Sequence, residues 1–373
     1  TVAAGTTVLV ASTDDGEQIV VGPEPRPDDV FNVVSFGAKG DGATDDTAAV
    51  QAAVAAAVQS GGGTVYCPSG RYLLTDTISL ADGISLVGAG KSPDTGRPTV
   101  LDFSGIDGAT PAIGITDNHD VVIRDFYLVG RTSGAGHEIL VSGECRGINI
   151  QRVIINTDTT GVGVRLSVGS GTTIASTIDQ VVVVGGGYGF QVGEGCTSIT
   201  MTSCWARTCT VAGYQILGTY VSLVSCAADL NADYGYVVTG VSITFVGCGA
   251  ELHGLSGWVM SGAEQVVLFG CRGVTNNTGG TPGIPSFAAV NSSSDKITFI
   301  GCTDTSPTSG TNCSLGSFIG TAGQVAAINC DWAEPVAANA GVIDITGSRG
   351  GNAALASLIT ALADLGLVTD STT

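Results

Sequence analysis

The sequence predicts an all-β fold: a single-stranded right-handed parallel β-helix with an N-terminal capping helix and a short C-terminal helix. Two repeating motifs support this prediction. The first is an apolar strand that ends in cysteine, as in ITMTSC, VSLVSC and ITFVGC, which recur at intervals of 22 residues. The second is a glycine followed by a bulky apolar residue, with a similar period. Such periods, built from short strands, indicate coils that stack edge to edge, and parallel crossovers strongly favour the right-handed form.

Cysteines close six successive strands, which indicates one cysteine per coil. Their intervals are 22, 22, 23, 31 and 28 residues. Because a free thiol behaves as a small buried hydrophobe, we expect reduced, interior and stacked side chains rather than disulfides or a metal site. Cys209 and Cys313 fall outside this series, and their pairing is left open. The series, named the cysteine ladder, comprises Cys204, Cys226, Cys248, Cys271, Cys302 and Cys330.

The glycine motif appears as GVRL, GFQV, GYQI, GYVV and GWVM. Alternate residues of a strand share a face, so the residue after glycine and the apolar residue two positions later point the same way. We therefore expect an interior stack of aromatic rings rather than a sugar-binding platform. This aromatic ladder comprises Phe190, Tyr214, Tyr236 and Trp258.

The N-terminal residues 1–30 are interpreted as an arm that precedes the β-helix. Two strand-like runs flank an Asp-Asp-Gly turn in TVLVASTDDGEQIVVG, which suggests a hairpin, and PEPRPDD follows as a stiff linker. The β-helix is expected to span residues 31–348. It begins with an Ala-rich helix that Asp45 or Asp46 can cap and that the glycines at 61–63 end. We expect this helix to cover the open edge of the first coil.

The opening of the β-helix also carries a family resemblance. The segments FGAKGDGATDDTAAVQAAV, GGGTVYCPSGRY and ISLVGAG occur in this order. Over residues 31–105 the sequence resembles the pectate-lyase/polygalacturonase-like right-handed β-helix superfamily, which includes many bacteriophage tailspikes. The resemblance implies the β-helix fold and an extracellular polysaccharide as partner. It brings no catalytic motif, because NTD at 156–158 stands alone and the HG at 253 lacks the preceding glycine of polygalacturonases.

Residues 349–373 are expected to form a C-terminal helix. Asn352 can cap its start and Gly366 its end. A helix this short is only marginally stable in isolation. Its apolar stripe must therefore pack either on the last coil or on other chains. The ending resembles the C-terminal helices of phage fibre and spike proteins, which are commonly trimers, and this favours an oligomerisation helix and a homotrimer. The stripe comprises Leu355, Leu358, Ile359, Leu362 and Leu365.

The charge composition excludes several classes of partner. The net charge of -19 repels phosphate backbones and anionic membrane surfaces, so neither nucleic acid nor membrane is expected as a partner. No apolar run is long enough to span a bilayer. We find no signal peptide, and a leader can already have been removed before Thr1. No cofactor is expected, and no cysteine spacing indicates a metal site.

The candidate site lies three residues after the ladder cysteines, in CWAR, CAAD and CGAE. Because the preceding alanines can face inward, the third residue should point outward, and adjacent coils lie about 4.8 Å apart. These residues, named the charged column, are Arg207, Asp229 and Glu251.

Two adjacent carboxylates beside an arginine suit acid–base chemistry. Asp229 and Glu251 are the candidate catalytic residues, with Glu251 as the acid and Asp229, held ionised by Arg207, as nucleophile or base. Insertions TNNTGGTPGIP and TSPTSGTNCSLG would wall a groove beside them. The alternative is a solvated charge ladder without catalysis. Candidate substrate-binding residues are Arg207, Asp233, His253, Asn276 and Asn277.

Other acidic residues have weaker claims to a catalytic role. They include Asp158 and Glu194, whereas Asp125 is expected to pair with Arg152 across coils.

The favoured function is a phage-type tailspike or fibre that binds an extracellular bacterial polysaccharide, with its depolymerisation left open. Other virion proteins would bind the N-terminal arm, and the protein would lie on the virion surface or be secreted. The alternatives are a secreted polysaccharide lyase or glycoside hydrolase unrelated to phage, and a non-catalytic structural or receptor-binding fibre. The fold alone does not separate them, because function on a β-helix resides in its surface site.

Overall fold

The structure is a computed structural model that describes part of the chain. The described residues are 10–12, 18–20, 29–92, 96, 98–106, 110–131, 134, 136–157, 160–166, 171–280, 286–290, 295–304, 325–328, 330, 343–347 and 368–372.

The described residues form a parallel β-helix of about nine turns, in which each turn adds one strand to each of three walls. The first, the nine-stranded wall, is a parallel sheet in which each strand between the two end strands pairs with those of the coils before and after it. Its strands are Ile78–Leu80, Ile113–Thr116, His137–Ser142, Val162–Leu166, Tyr188–Val192, Ala212–Ile216, Tyr234–Val238, Trp258–Ser261 and Phe287–Val290.

The second wall, the long-strand wall, follows the first along each coil. Its strands are Gly63–Cys67, Ile84–Gly88, the first part of Val122–Val129, the first part of Asn149–Thr157, Thr173–Asp179, Thr197–Thr202, Thr219–Val224, Val241–Val246, Glu264–Phe269, Asp295–Ile300 and Val325–Ile328.

The third wall, the short-strand wall, completes each coil. Its strands are Gly70–Leu73, Thr99–Asp102, the second parts of Val122–Val129 and Asn149–Thr157, Val182–Gly185, Trp205–Arg207, Ala227–Asp229, Gly249–Glu251, Arg272–Val274 and Thr303–Asp304. The remaining strands are Val10–Ser12, Gln18–Val20, Val30–Asn32, Asp41–Asp45, Cys145–Arg146, Ile343–Gly347 and Val368–Thr372.

A single residue in the left-handed backbone conformation turns the chain from the long-strand wall into the short-strand wall. Ser203, Ser225 and Gly247 hold this position in successive coils, with φ of 51°, 52° and 60°. A ladder cysteine follows each of them. The corner explains why the apolar strand ends where it does, and why glycine suits the position before Cys248.

The cysteine ladder is interior in five of its six members, and no described cysteine forms a disulfide. Cys204, Cys226 and Cys248 each donate an Sγ–H to a backbone carbonyl of the preceding coil. Cys330 packs against the core but is only partly buried, which corrects the prediction for that residue.

Cys313 lies outside the described residues. Cys209 is a free, buried thiol, and burial raises its pKa to about 12.

The aromatic ladder is confirmed as an interior stack. Phe190 and Tyr214 lie 4.9 Å apart between ring centroids, and Tyr214 and Tyr236 lie 4.7 Å apart. Tyr236 and Trp258 follow at 5.0 Å, and Phe287 extends the stack at 4.5 Å. The rings are within 13° of parallel and fully buried, so none of them can serve as a sugar platform.

A polar ladder fills the interior corner where the short-strand wall ends. The backbone N–H of Cys209 donates to Oδ1 of Asn231, and the N–H of Asn231 donates to Nδ1 of His253. The N–H of His253 in turn donates to Oδ1 of Asn276. Each side chain therefore satisfies a backbone group of the preceding coil, which a buried turn requires.

The glycine motif makes room for this polar ladder. A Cβ placed on Gly235 would lie 2.7 Å from Nε2 of His253, and one on Gly257 would lie 2.9 Å from Nδ2 of Asn276. Any larger residue would displace the ladder, so glycine is required there by close packing and not by a special backbone angle.

The helix predicted near the start of the β-helix spans Thr47–Gln59. It buries Val50 and Val54 against the strands of the first coils. The side chain of Asp46 does not cap it but accepts the N–H groups of Lys39 and Gly40, while Asp45 accepts the N–H of Thr47. It stays a prediction that the helix Thr47–Gln59 covers the open edge of the first coil. The right-handedness of the coils also stays a prediction.

The two ends are described only in part. Val10–Ser12 and Gln18–Val20 pair as antiparallel strands, and Ile343–Gly347 pairs with Val368–Thr372. The predicted leucine stripe of the C-terminal helix lies outside the described residues. Among the helices that the structure describes, none is long and apolar enough to cross a membrane.

Candidate functional site

The charged column forms as predicted on the outer surface of the short-strand wall. Arg207 pairs in register with Asp229, and Asp229 pairs with Glu251 on the next coil. The preceding alanines are fully buried, which turns the charged residues outward. Val184 and Val274 hold the equivalent positions on the coils before and after. The two carboxylates are therefore neighbours on adjacent strands, flanked by an arginine on one side only.

Asp229 is held by a residue that the sequence argument did not use. Nε1 of Trp205 donates a hydrogen bond of 2.8 Å to Oδ2 of Asp229. Burial is the largest influence on Asp229 and raises its pKa above the ordinary value; the Trp205 bond opposes this rise, the charge of Glu251 adds to it, and Arg207 opposes it. Arg207 therefore acts on Asp229 in the expected direction, but burial outweighs it, and the pKa of Asp229 is raised rather than lowered. Asp229 is the carboxyl whose surroundings favour the protonated form.

Arg207 stacks on Trp205 instead of forming an ion pair. Its guanidinium carbon lies 5.1 Å from the centre of the indole ring, within the range of a cation–π contact. Among the described residues it forms no salt bridge within 4.0 Å. Its charge is therefore available to a ligand at the charged column.

Small residues leave a recess beside the two carboxylates. Trp205, Ala227, Gly249 and Arg272 follow one another in register across four strands. A Cβ added to Gly249 would meet nothing within 4 Å, so the surface above it is open. We name this feature the Gly249 recess: its floor is Ala227 and Gly249, its ends are Trp205 and Arg272, and Asp229 and Glu251 line one side.

The other predicted substrate-binding residues divide into two groups. Asp233 is half-exposed on the turn that follows the charged column. His253, Asn276 and Asn277 are buried. His253 and Asn276 belong to the polar ladder, and the N–H of Asn277 donates to the carbonyl of Leu255. A ligand on the surface cannot reach these three side chains because they are buried, which corrects their assignment to substrate binding.

Most of the two insertions that were predicted to wall a groove, residues 281–285 and 305–316, lies outside the described residues. Of the first insertion, residues 275–280 are described, and the carbonyl of Asn277 accepts the N–H of Gly280 in a tight turn.

The comparison with protein families agrees with the fold. The sequence profile of the family described as rhamnogalacturonase A/epimerase, pectate lyase-like, matches residues 30–237, more than half of the chain. The chain belongs to this family. The resemblance to the pectate-lyase-like superfamily is thereby confirmed.

Individual relatives share either a short segment or the fold. Mannuronan C5-epimerase AlgE3 of Azotobacter vinelandii is 53% identical over 68 residues, which are 16% of this chain and 4% of that protein. The A-module of mannuronan C-5 epimerase AlgE4 of the same organism has a TM-score of 0.58 at 22% identity, over 81% of this chain and 96% of the module. The gp42 tailspike of an Acinetobacter phage has a TM-score of 0.57 at 16% identity, over 95% of this chain and 62% of the tailspike. At these identities the two structures show the fold alone.

A second polar group of this pectate-lyase-like chain lies on the nine-stranded wall. Arg165, Gln191 and Gln215 hold the same outward position in successive strands. Nη1 of Arg165 lies 3.3 Å from Nε2 of His137, and Nε2 of Gln191 donates to Oε1 of Gln215 at 2.6 Å. Arg165, Gln191 and Gln215 are the third residues of the sequence motifs GVRL, GFQV and GYQI. No catalytic carboxylate joins the row, so the charged column remains the better candidate for chemistry.

Asp125 and Arg152 form a structural ion pair between two coils. Arg152 binds Asp125 through two bonds of 2.7 Å, as predicted. Within the described parts of the chain, no group of three or more histidine, cysteine or acidic side chains is arranged to hold a metal ion.

Proposed function

We propose that this protein is a phage-type tailspike or fibre protein that binds an extracellular bacterial polysaccharide at the charged column and cleaves it there. The observation that carries the proposal is the register of Asp229 and Glu251 on adjacent coils beside the Gly249 recess. Family membership supports action on a polysaccharide, and the tailspike likeness supports the phage setting. Fold likeness alone would not suffice, because unrelated functions share a fold.

The two carboxyls take different roles in the proposed cleavage. Asp229 is half-buried and its pKa is raised, so it acts as the general acid that protonates the glycosidic oxygen of the leaving sugar. Glu251 is exposed and acts as the base that activates water, or as the nucleophile that attacks the anomeric carbon. The two roles are reversed from those expected from sequence, because burial outweighs the arginine at Asp229.

The polysaccharide is proposed to lie along the axis of the β-helix. One sugar would occupy the Gly249 recess, with its hydroxyls towards the carboxylates. Arg272, which is exposed, and Arg207, which is partly exposed, would contact neighbouring sugars, and Asp233 would do so from the turn that follows the charged column.

The assembly belongs to the same proposal. Residues 31–348 would form the β-helix, residues 349–373 would hold a homotrimer together, and residues 1–30 would bind other virion proteins. The protein would then lie on the virion surface. Deletion of residues 352–373 is expected to weaken the oligomer, and a truncated chain that keeps its mass in solution would contradict this part.

A lyase or epimerase is the second candidate. The short match to a mannuronan C5-epimerase favours it, and so does the unpaired guanidinium of Arg207, which can neutralise a carboxylate on a sugar and ease removal of the neighbouring proton. A third candidate is a fibre that binds the polysaccharide without cleaving it.

One experiment separates these candidates. The protein is incubated with a panel of bacterial exopolysaccharides, and reducing ends and unsaturated products are measured. Hydrolysis gives reducing ends alone, and a lyase gives unsaturated ends as well. Epimerisation changes the sugar composition without either signal. Asp229→Asn and Glu251→Gln should each abolish cleavage, while Glu264→Gln, an exposed acid on the long-strand wall, should not. Full activity in both site variants would refute the charged column as the catalytic site.

A further inference from the structure

Two exposed leucines follow the carboxylates of the charged column directly. Leu230 comes after Asp229 and is 46% exposed, and Leu252 comes after Glu251 and is 40% exposed. The N–H of Leu230 donates to the carbonyl of Glu251, so the two leucines lie on adjacent coils in the same register as the carboxylates. We name them the leucine pair. Among the described residues, no other leucine is exposed.

The backbone of this corner does not favour leucine. Leu230 and Leu252 have φ of 55° and 60°, in the left-handed region that glycine and asparagine adopt most readily and that a bulky side chain seldom adopts. The equivalent position on the coils before and after holds Thr208 and Thr275, with φ of 56° and 49°. The fold therefore sets this conformation on all four coils, but an exposed leucine occurs only on the two coils that carry carboxylates.

The polar ladder holds the leucine pair in place. Asn231 and His253 follow the two leucines directly and are buried. The N–H of Asn231 donates to Nδ1 of His253, and the N–H of His253 donates to Oδ1 of Asn276. Because these side chains fill the interior of the corner, the leucines stay at the surface. The leucine pair is therefore a fixed apolar surface that a ligand can cover without first ordering it.

The carboxylates lie between the leucine pair and the Gly249 recess. Along each strand the floor of the recess comes two residues before the carboxylate, and the leucine comes one residue after it. A sugar in the recess with its hydroxyls towards the carboxylates would therefore direct a substituent on such a hydroxyl past the carboxylates to the leucine pair. Val274, beside Glu251 on the next coil, continues the apolar surface there.

We propose that the leucine pair binds O-acetyl groups of the polysaccharide, so that the substrate is an O-acetylated bacterial exopolysaccharide. The inference deepens the proposed function and rests on it. Leucine offers no hydrogen bond to a free hydroxyl, whereas the methyl of an acetyl ester gains by leaving water against it. An acetyl ester is also uncharged, and Asp229 and Glu251 would repel an anionic substituent in the same place.

The test is the affinity for the same polysaccharide in two forms. O-acetylated bacterial exopolysaccharides are used intact and after removal of their acetyl groups with mild alkali. Binding to the full chain is measured by calorimetry in the Asp229→Asn variant, so that the polymer is not cleaved during the titration. The intact form should bind about fourfold more tightly for each methyl group that the leucine pair covers.

The double variant Leu230→Asn/Leu252→Asn, made in the same background, removes the apolar surface. Asparagine suits the left-handed backbone, so the variant should fold normally, which thermal melting checks. It should bind the intact and deacetylated forms equally, because its affinity for the intact form should fall to that for the deacetylated form. Tyr220→Asn is the matched control: Tyr220 is 64% exposed, has φ of 53° and lies on the long-strand wall, so its replacement should keep the preference.

The possible results separate this inference from the proposed function. Equal affinity for the two forms in the parent variant would overturn the inference alone, and so would a double variant that keeps the preference. A methyl group on the sugar ring itself survives alkali, so equal affinity would also result if such a group were the occupant. Binding of no exopolysaccharide in either form would overturn both the inference and polysaccharide binding. A preference for the intact form without cleavage by the wild type would support the leucine pair and refute catalysis at the charged column.

Discussion

The indole of Trp205 donates a hydrogen bond of 2.8 Å to the carboxylate of Asp229, across the boundary between two coils. The same indole carries the guanidinium of Arg207 on its face. The indole of Trp205 therefore contacts both Asp229 and Arg207. The carboxylate is hydrogen-bonded to the indole, and the guanidinium stacks on the indole instead of pairing with the carboxylate.

Replacing Trp205 by phenylalanine should raise the pKa of Asp229 further. The indole bond favours the ionised carboxylate, so its loss should raise the pKa of Asp229 above its value in the wild type. Carboxyl NMR titration of Asp229 measures this directly. If Asp229 is the acid, the basic limb of the pH–rate profile should move to higher pH as well.

Tyr220→Phe is the control for this prediction, because Tyr220 is exposed on a different wall. An unchanged Asp229 titration in Trp205→Phe would mean that the indole bond has no influence on the acid.

Filling the Gly249 recess should block polysaccharide binding without affecting the fold. A side chain at Gly249 would project into open space, so Gly249→Trp should fold normally while its indole occupies the place of one sugar. We expect affinity for the bound polysaccharide to fall at least about tenfold, equivalent to about 1.4 kcal/mol. Glycan binding by calorimetry, with Ser79→Trp on the exposed surface of an early coil as control, checks this. Equal affinity in both variants would place the glycan elsewhere on the β-helix.

A methyl group added at Gly235 should destabilise the protein, whereas the same group added at Gly249 should not. A Cβ on Gly235 would lie 2.5 Å from the carbonyl oxygen of Gly257 and 2.7 Å from Nε2 of His253, whereas a Cβ on Gly249 meets nothing. Gly235→Ala should therefore lower the free energy of unfolding by about 1–3 kcal/mol, as overpacking does. Gly249→Ala should stay within about 0.5 kcal/mol of the wild type. Urea denaturation of the two variants provides the comparison, and similar losses would contradict the close packing at Gly235.

The fold was predictable because its evidence is periodic. A strand that ends in cysteine every 22 residues determines which residues face inward and which residues of adjacent coils pair. That register alone places Arg207 beside Asp229 and Asp229 beside Glu251, as the structure shows. The same periodicity predicted the aromatic ladder.

The properties of the site were less predictable, because they depend on contacts between coils. His253 and Asn276 look like surface residues of polar turns, but their side chains satisfy backbone N–H groups inside the wall. The protonation of Asp229 depends on how deeply its strand is buried and on the direction of the Trp205 ring. Neither quantity follows from spacing along the chain.

The buried imidazole of His253 should make the stability of the protein depend on pH. Its Nδ1 accepts the N–H of Asn231, which requires the neutral ring, and burial lowers its pKa to about 4. In the unfolded chain the ordinary pKa is about 6.5, so the unfolded state binds the proton first as the pH falls. The stability from the neutral ring is therefore complete above about pH 6.5 and is lost as the pH falls towards about 4. By pH 5 the loss should be about 2 kcal/mol relative to pH 8.

His253→Asn is the variant that tests this dependence. Asparagine already fills the equivalent position as Asn231 and Asn276, so its side chain can accept the same N–H without titrating. The difference in the free energy of unfolding between pH 8 and pH 5, measured in urea, should be smaller than in the wild type by about 2 kcal/mol. The dependence that remains should include His137, since burial lowers its pKa to about 4 as well. His119→Asn changes an exposed histidine and should leave the difference unchanged. If His253→Asn shows the full pH dependence of the wild type, the buried imidazole is not its source.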